Sequence, residues 1–185
     1  MIKHISSPGK LAAASVVLAL LLGAAPSTRA ADPTNAFSKP TIDIGIVARD
    51  VEKSARFYGE TIGLKEIKGF SATAEFGTKI GLVDNHPINV RVFVTEEIEG
   101  ATRIKLMSFP AAAGKLPDRS HIHSTIGISY LTLFVKDIDQ ALARLKKAGV
   151  KLLGETPVSL GGKTQLVAVR DPDGNFIELI GPTKE

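Results

Sequence analysis

Cysteine is absent from this sequence of 185 residues. Its absence excludes disulfide scaffolds, thiolate metal sites, cysteine nucleophiles and lipid anchors attached to cysteine. Any metal ion would therefore be bound by histidine, aspartate or glutamate side chains. The chain is long enough to bury a hydrophobic core but too short for more than one or two small domains.

A surplus of positive charge is also lacking outside the first 30 residues. The whole chain has a formal net charge of +4, but Lys3, Lys10 and Arg29 lie in a segment without any acidic residue. The remainder has 20 basic and 19 acidic residues, a net charge of +1. A nearly neutral protein has no electrostatic basis for binding DNA or RNA, so no nucleic-acid partner is expected.

The apolar run at residues 11–25 has 15 residues, whereas a membrane-spanning helix needs about 20. It follows Lys3 and Lys10, ends at Pro26, and is followed by small residues up to Ala30. This pattern predicts that residues 1–30 form a secretory signal peptide cleaved after Ala30, with a membrane anchor as the alternative. We expect a periplasmic or secreted protein without a stable anchor, in which residues 31–40 are an unstructured lead-in.

Two segments of the chain share one pattern at a distance of 87 residues. Residues 41–48 and 129–135 are typical of strands, and each is followed by an aspartate, Asp50 or Asp137, and an apolar pattern of helical period. Both aspartates are suited to cap a helix N-terminus, and Gly63 and Gly149 are suited to end the two helices.

Three further strands are predicted after each helix: residues 66–76, 88–95 and 103–108 in the first half, and residues 151–160, 164–170 and 176–180 in the second. Each half is therefore one strand, one helix and three strands, which is an α+β pattern. The halves are residues 41–109 and 128–182, and residues 110–127 link them. Because a half of about 60 residues would be marginally stable alone, we expect both to pair into one domain.

Three motifs carry a resemblance to a known family: IVARDVEKSARFY at residues 46–58, FVKDIDQALARLKKAGV at residues 134–150 and RDPDGNFIELI at residues 170–180. The sequence resembles the vicinal oxygen chelate superfamily, which includes glyoxalase I, extradiol dioxygenases and bleomycin-resistance proteins. The resemblance covers residues 41–182. It implies two βαβββ modules whose mixed sheets pair into one cupped domain around a pocket.

The resemblance also implies a divalent metal ion, with ligands from the first and last strand of each module. The matching positions are Asp43, Lys105, Tyr130 and Glu178, of which only Glu178 fits the family pattern. The Lys105 ammonium has no lone pair and would repel a cation. We therefore predict that no metal or other cofactor is bound. The alternative is a divalent metal ion held by Asp43 and Glu178.

Alternation along the strands, combined with the cupped sheet that the resemblance implies, predicts which side chains face the pocket. The Lys105 ammonium is expected to take the place of the metal between Asp43 and Glu178, or else to extend into solvent. The linker residues His121 and His123 are interpreted as part of a polar loop, with a metal site formed together with Asp118 as the alternative. The predicted pocket residues are Asp43, Val47, Lys105, Met107, Tyr130, Thr132, Phe134, Phe176, Glu178 and Ile180.

Two functional classes fit these observations. The first is an exported pocket protein, similar to the bleomycin-resistance branch, that binds a small, partly apolar molecule without a metal. The second is a metal-dependent lyase, isomerase or dioxygenase of the same superfamily, with Glu178 as its catalytic residue and Asp43 as a ligand. A packed core or a protein contact surface is a third alternative. A homodimer is compatible with either of the first two classes.

Overall fold

The computed structural model describes residues 36–112 and 114–184. The predicted signal peptide and residues 31–35 of the predicted lead-in lie outside the described residues. From Phe37 onward the chain forms one compact unit.

The first module contains four strands in one mixed sheet. Strand β1 (Asp43–Val47) leads into helix α1 (Val51–Arg56), which continues as a π-helical turn at Phe57–Ile62. Strand β2 (Lys65–Ala72), helix α2 (Ala74–Lys79), strand β3 (Ile88–Val94) and strand β4 (Arg103–Met107) follow. The strand order is β1-β4-β3-β2, with β1 parallel to β4 and the other pairs antiparallel.

The second module repeats this topology. It comprises β5 (Tyr130–Phe134), α3 (Ile138–Lys147), β6 (Val158–Gly161), β7 (Thr164–Arg170) and β8 (Phe176–Pro182). Its strand order is β5-β8-β7-β6, with β5 parallel to β8 and the others antiparallel. The predicted α+β fold of two βαβββ modules is confirmed.

The predicted helix boundaries follow from capping chemistry. Asp50 accepts a hydrogen bond from the Lys53 backbone N–H at 2.9 Å, and Asp137 accepts one from the Gln140 N–H at 3.0 Å. These bonds satisfy N–H groups that have no partner within the helix. Gly63 ends the first helical segment with a φ of 95°, a conformation that favours glycine.

Two predicted strands are shorter in the structure than in the sequence pattern. Strand β2 ends at Ala72 rather than at Phe76, because the Thr73 hydroxyl accepts a hydrogen bond from the Phe76 N–H at 3.2 Å and caps helix α2. Strand β6 begins at Val158 rather than at residue 151. The β propensity of single residues was outweighed by local capping in the first case.

One hydrophobic core joins the two modules. It contains Phe57 and Ile104 of the first module together with Leu145, Val167 and Ile177 of the second, all buried. The Arg144 side chain on α3 also donates hydrogen bonds to the carbonyl oxygens of residues 61 and 62 at 3.2 and 3.0 Å. The modules therefore share one core, as predicted from the length of each half.

A buried hydrogen bond adds to this junction. The Tyr58 side chain is fully buried, and its hydroxyl donates to Asp171 Oδ2 at 2.9 Å. Burial raises the pKa of Tyr58 well above its usual range, and the neighbouring Asp171 charge adds to the increase. Tyr58 therefore remains a neutral hydrogen-bond donor at the contact between the first helix and the turn that precedes β8.

Candidate functional site

The two faces of each sheet differ, as the alternation of residues predicted. Ile46 on β1 and Leu131 and Leu133 on β5 pack against the shared core. The alternating side chains point away from the helices, and Val47, Tyr130 and Phe134 are 56%, 48% and 78% exposed. The faces that carry the predicted pocket residues are therefore open to solvent in the single chain.

Asp43 and Lys105 form an ion pair on the open face of the first sheet. The Lys105 Nζ lies 2.8 Å from Asp43 Oδ2, and the two side chains are 27% and 39% exposed. The Lys105 ammonium, through this hydrogen bond, holds the pKa of the Asp43 carboxyl below its usual range. The ammonium also lies 5.7 Å from the centre of the Phe70 ring, within the range of a cation–π contact.

Glu178 has a different partner on the second sheet. Residues Thr132 and Glu178 are neighbours in the parallel register of β5 and β8. The Thr132 hydroxyl donates to Glu178 Oε2 at 2.6 Å. Within residues 36–112 and 114–184, Glu178 forms no ion pair with Lys105. The structure thus brings Lys105 to Asp43 but leaves Glu178 in a separate pair.

The donor chemistry does not fit the divalent metal that the resemblance implies. The Asp43 carboxylate is paired with the Lys105 ammonium, and the Glu178 carboxylate accepts a hydrogen bond from the Thr132 hydroxyl. In the described part of the chain, no three His, Asp or Glu side chains are close enough to share a metal ion. A cation at Asp43 would have to displace Lys105 or bind beside it against charge repulsion.

A cavity of about 300 Å³ lies where the edge strands β1 and β5 of the two sheets approach each other. Val47, Tyr130 and Phe176, which the sequence analysis assigned to the pocket, line it. The volume is at the small end of the range for ligand pockets. The complete lining consists of residues 44–47, 115–117, 119, 128–131, 173, 175 and 176.

The other predicted pocket residues lie on the open faces or at their margins. Met107 packs against a small apolar cluster of Ile88, Val90 and Val92. Phe134 lines a separate groove near the C-terminal end of β5. Ile180 lies next to Phe134 in the parallel register of β5 and β8.

Sequence reasoning missed the contribution of the linker to the cavity. Lys115, Leu116 and Arg119 belong to a segment that was interpreted only as a connection, yet they line the cavity. The segment has neither helical nor strand periodicity, so no pattern predicted where its side chains would point. The His121 and His123 rings stack on each other in the same segment, with centroids 5.3 Å apart.

Comparisons with known proteins agree with this fold. A family model for the Glyoxalase/Bleomycin resistance protein/Dioxygenase superfamily matches residues 42–179. The match covers most of the chain and both modules, and the chain belongs to this superfamily. No curated protein matches the chain at a significant level.

Solved structures show the same fold. A glyoxalase family protein from Bacillus cereus has a TM-score of 0.68 at 23% identity, over 83% of this chain and 100% of the other. A glyoxylase/bleomycin resistance protein/dioxygenase domain from Frankia sp. EAN1pec has a TM-score of 0.51 at 22% identity, over 81% and 93%. A glyoxalase/bleomycin resistance protein from Streptomyces sp. CB03234 has a TM-score of 0.50 at 24% identity, over 75% and 97%.

No helix within residues 36–112 and 114–184 is both long and apolar enough to cross a membrane.

Proposed function

We propose that this protein binds a small, partly apolar molecule in the cavity between its two modules, without the divalent metal of its family. The observation that carries the proposal is the Asp43–Lys105 pair, because a lysine ammonium neutralises the carboxylate that a metal would need. In this proposal the fold acts as a binding scaffold rather than as a metal enzyme.

The lining of the cavity supports a ligand of mixed character. Leu116, Ile128 and Phe176 offer apolar surface, and Tyr130 adds an aromatic ring with a hydroxyl group. Ligand pockets are typically mostly apolar, with a few polar groups that orient the ligand. Residues 44–47 of β1 line the same cavity, so a ligand here would contact both modules.

The alternative is a metal-dependent lyase, isomerase or dioxygenase that uses Glu178 and Asp43. It requires Lys105 to leave Asp43 and both carboxylates to reach one ion. Measurement of the metal content of the purified protein separates the two functions. We expect much less than one divalent ion per chain and no change in melting temperature on adding a chelator, whereas a stoichiometric ion that is lost in Glu178→Gln would favour the enzyme.

Ligand binding is tested by a steric block. A set of neutral aromatic fragments is screened by ligand-detected NMR against the wild type and Val47→Trp, which places a large ring at the wall of the cavity. Leu82→Trp is the matched control, because Leu82 is exposed outside the cavity lining. We expect Val47→Trp to lose fragment binding and the control to keep it. Binding that survives in Val47→Trp would contradict the proposed site.

Export is the second part of the proposal. It is supported by the charged start, the short apolar run and the small residues before Ala31. An exported protein would bind its ligand outside the cytoplasm.

A further inference from the structure

We propose that the cavity between the modules is a carboxylate-binding site, in which the Arg119 guanidinium holds the anionic end of an otherwise apolar ligand. This inference rests on the proposed function and specifies the class of ligand. Four observations support it. Arg119 lines the cavity, its backbone is held by hydrogen bonds, its Nε has no partner, and the nearby carboxylates accept hydrogen bonds from other residues.

The backbone of Arg119 is held in place by the second sheet. The Arg170 side chain on β7 donates from Nη1 to the Arg119 carbonyl oxygen and from Nη2 to the Ser120 carbonyl oxygen, the latter at 3.0 Å. Arg170 is itself held by the Phe176 ring, whose centre lies 4.1 Å from its guanidinium carbon. The linker is therefore fastened to β7 and β8 at the point where Arg119 enters the cavity.

The side chain of Arg119 packs over the turn before β8. A Cβ atom placed on Gly174 would lie 3.6 Å from the Arg119 Cδ, so the aliphatic stem runs beside this turn. Gly174 has a φ of +85°, a conformation that glycine adopts without strain. The glycine thus leaves space for the Arg119 stem beside the turn.

The Arg119 Nε lacks a hydrogen-bond partner. It is buried, and it is the one such side-chain nitrogen or oxygen among the described residues. Buried polar groups nearly always have a partner in native proteins, so an unpartnered donor needs an explanation. No group within the described residues therefore holds the guanidinium through this nitrogen.

The carboxylates near Arg119 already have other donors. Asp171 accepts from the Tyr58 hydroxyl and, at 2.7 Å, from the Asn175 side-chain amide. Asp173 accepts from the Arg49 backbone N–H at 3.2 Å. Within the described residues no salt bridge joins Arg119 to a carboxylate. The guanidinium is thus available for an external anion.

The rest of the cavity defines the remainder of the ligand. Lys115 supplies a second positive charge in the same lining and Asp173 one negative charge, so the lining keeps a net positive charge. Val47, Leu116 and Phe176 supply apolar surface. An arginine guanidinium matches the planar geometry of a carboxylate with two parallel hydrogen bonds. The ligand class is therefore a small monocarboxylate with an apolar or aromatic body.

The experiment compares two probes of the same shape, 3-phenylpropanoate and its neutral amide, 3-phenylpropanamide. Their dissociation constants are measured by calorimetry at pH 7 for the full-length wild type, for Arg119→Gln and for the control Arg56→Gln. Arg56 is exposed on α1 outside this cavity, so the control removes the same charge elsewhere.

In the wild type we expect the acid to bind about tenfold or more tightly than the amide, because a charged hydrogen bond is lost in the amide. Arg119→Gln should weaken binding of the acid by about tenfold or more and leave the amide unchanged, and Arg56→Gln should change neither. If circular dichroism shows that Arg119→Gln is unfolded, Arg119→Lys replaces it. This variant should weaken acid binding through loss of the forked donors.

Equal affinity for acid and amide, or unchanged acid binding in the Arg119 variant that folds, would overturn the inference. If neither probe binds while neutral fragments still bind at the Val47 site, the carboxylate preference is wrong but the proposed function stands. If no fragment binds there either, the carboxylate preference and the proposed function are both wrong.

Discussion

Replacing Lys105 by methionine removes one charge and keeps a side chain of similar length. The variant loses the 2.8 Å ion pair with Asp43 and the cation–π contact with Phe70. Because both members of the pair are partly exposed, the ion pair contributes about 0.2–1 kcal/mol. The cation–π contact with the exposed Phe70 ring contributes about 0.5–1 kcal/mol more. We expect the free energy of unfolding to fall by about 1 kcal/mol.

A loss of this size lowers the melting temperature by about 2–4 °C in a domain of this length. Urea unfolding at low salt measures it, with Lys68→Met, an exposed lysine on β2, as the control. A double-mutant cycle with Asp43→Asn isolates the pair, and the coupling should shrink in 1 M salt because exposed charges are screened. Zero coupling at low salt would refute the role that we assign to Lys105.

A second substitution of Lys105 tests whether its ammonium takes the place of a metal ion. Lys105→Glu puts a second carboxylate beside Asp43, and the two charges repel unless a cation lies between them. We expect this variant to be less stable than the wild type and to gain melting temperature with Mn²⁺, through preferential binding to the folded state. The wild type and Lys68→Glu should not respond. A wild type that Mn²⁺ stabilises as strongly would show that Lys105 does not exclude a cation.

Three further predictions concern the fold and export. Tyr58→Phe should cost about 1.5–3 kcal/mol in urea unfolding, because the buried Asp171 loses a hydrogen bond to a charged group, while Tyr130→Phe at a half-exposed site should cost little. Folding lowers the pKa of Asp43, so the charged Asp43 stabilises the protein above about pH 4, the pKa of an aspartate in the unfolded chain. This stabilisation is lost as the pH falls through the folded pKa. The difference in unfolding free energy between wild type and Asp43→Asn should therefore vanish in acid. Intact-mass analysis of exported protein should find cleavage after Ala30, and a full-length species retained in the membrane would contradict the signal peptide.

Local patterns predicted most of the strands and two of the helices of this protein but missed helix α2, and the resemblance to a known family implied how the strands pair. The alternation in β1 and β5 predicted which residues face the core, and Asp50 and Asp137 predicted where two helices begin. These signals depend on residues a few positions apart in the chain, so a single sequence contains them in full. The repeat predicted that the two halves pair into one domain, because a half of about 60 residues is marginally stable alone.

Only the tertiary structure decided which polar groups meet. Lys105 and Asp43 are 62 positions apart, and their contact depends on the register of β1 against β4. Glu178 was expected in the same cluster, but it lies on the other sheet and pairs with Thr132. Arg119 lies in a linker without periodicity, and its place in the cavity depends on Arg170 and Gly174. Local periodicity orients a side chain toward a face, but contacts between sheets and linker depend on packing over long sequence distances.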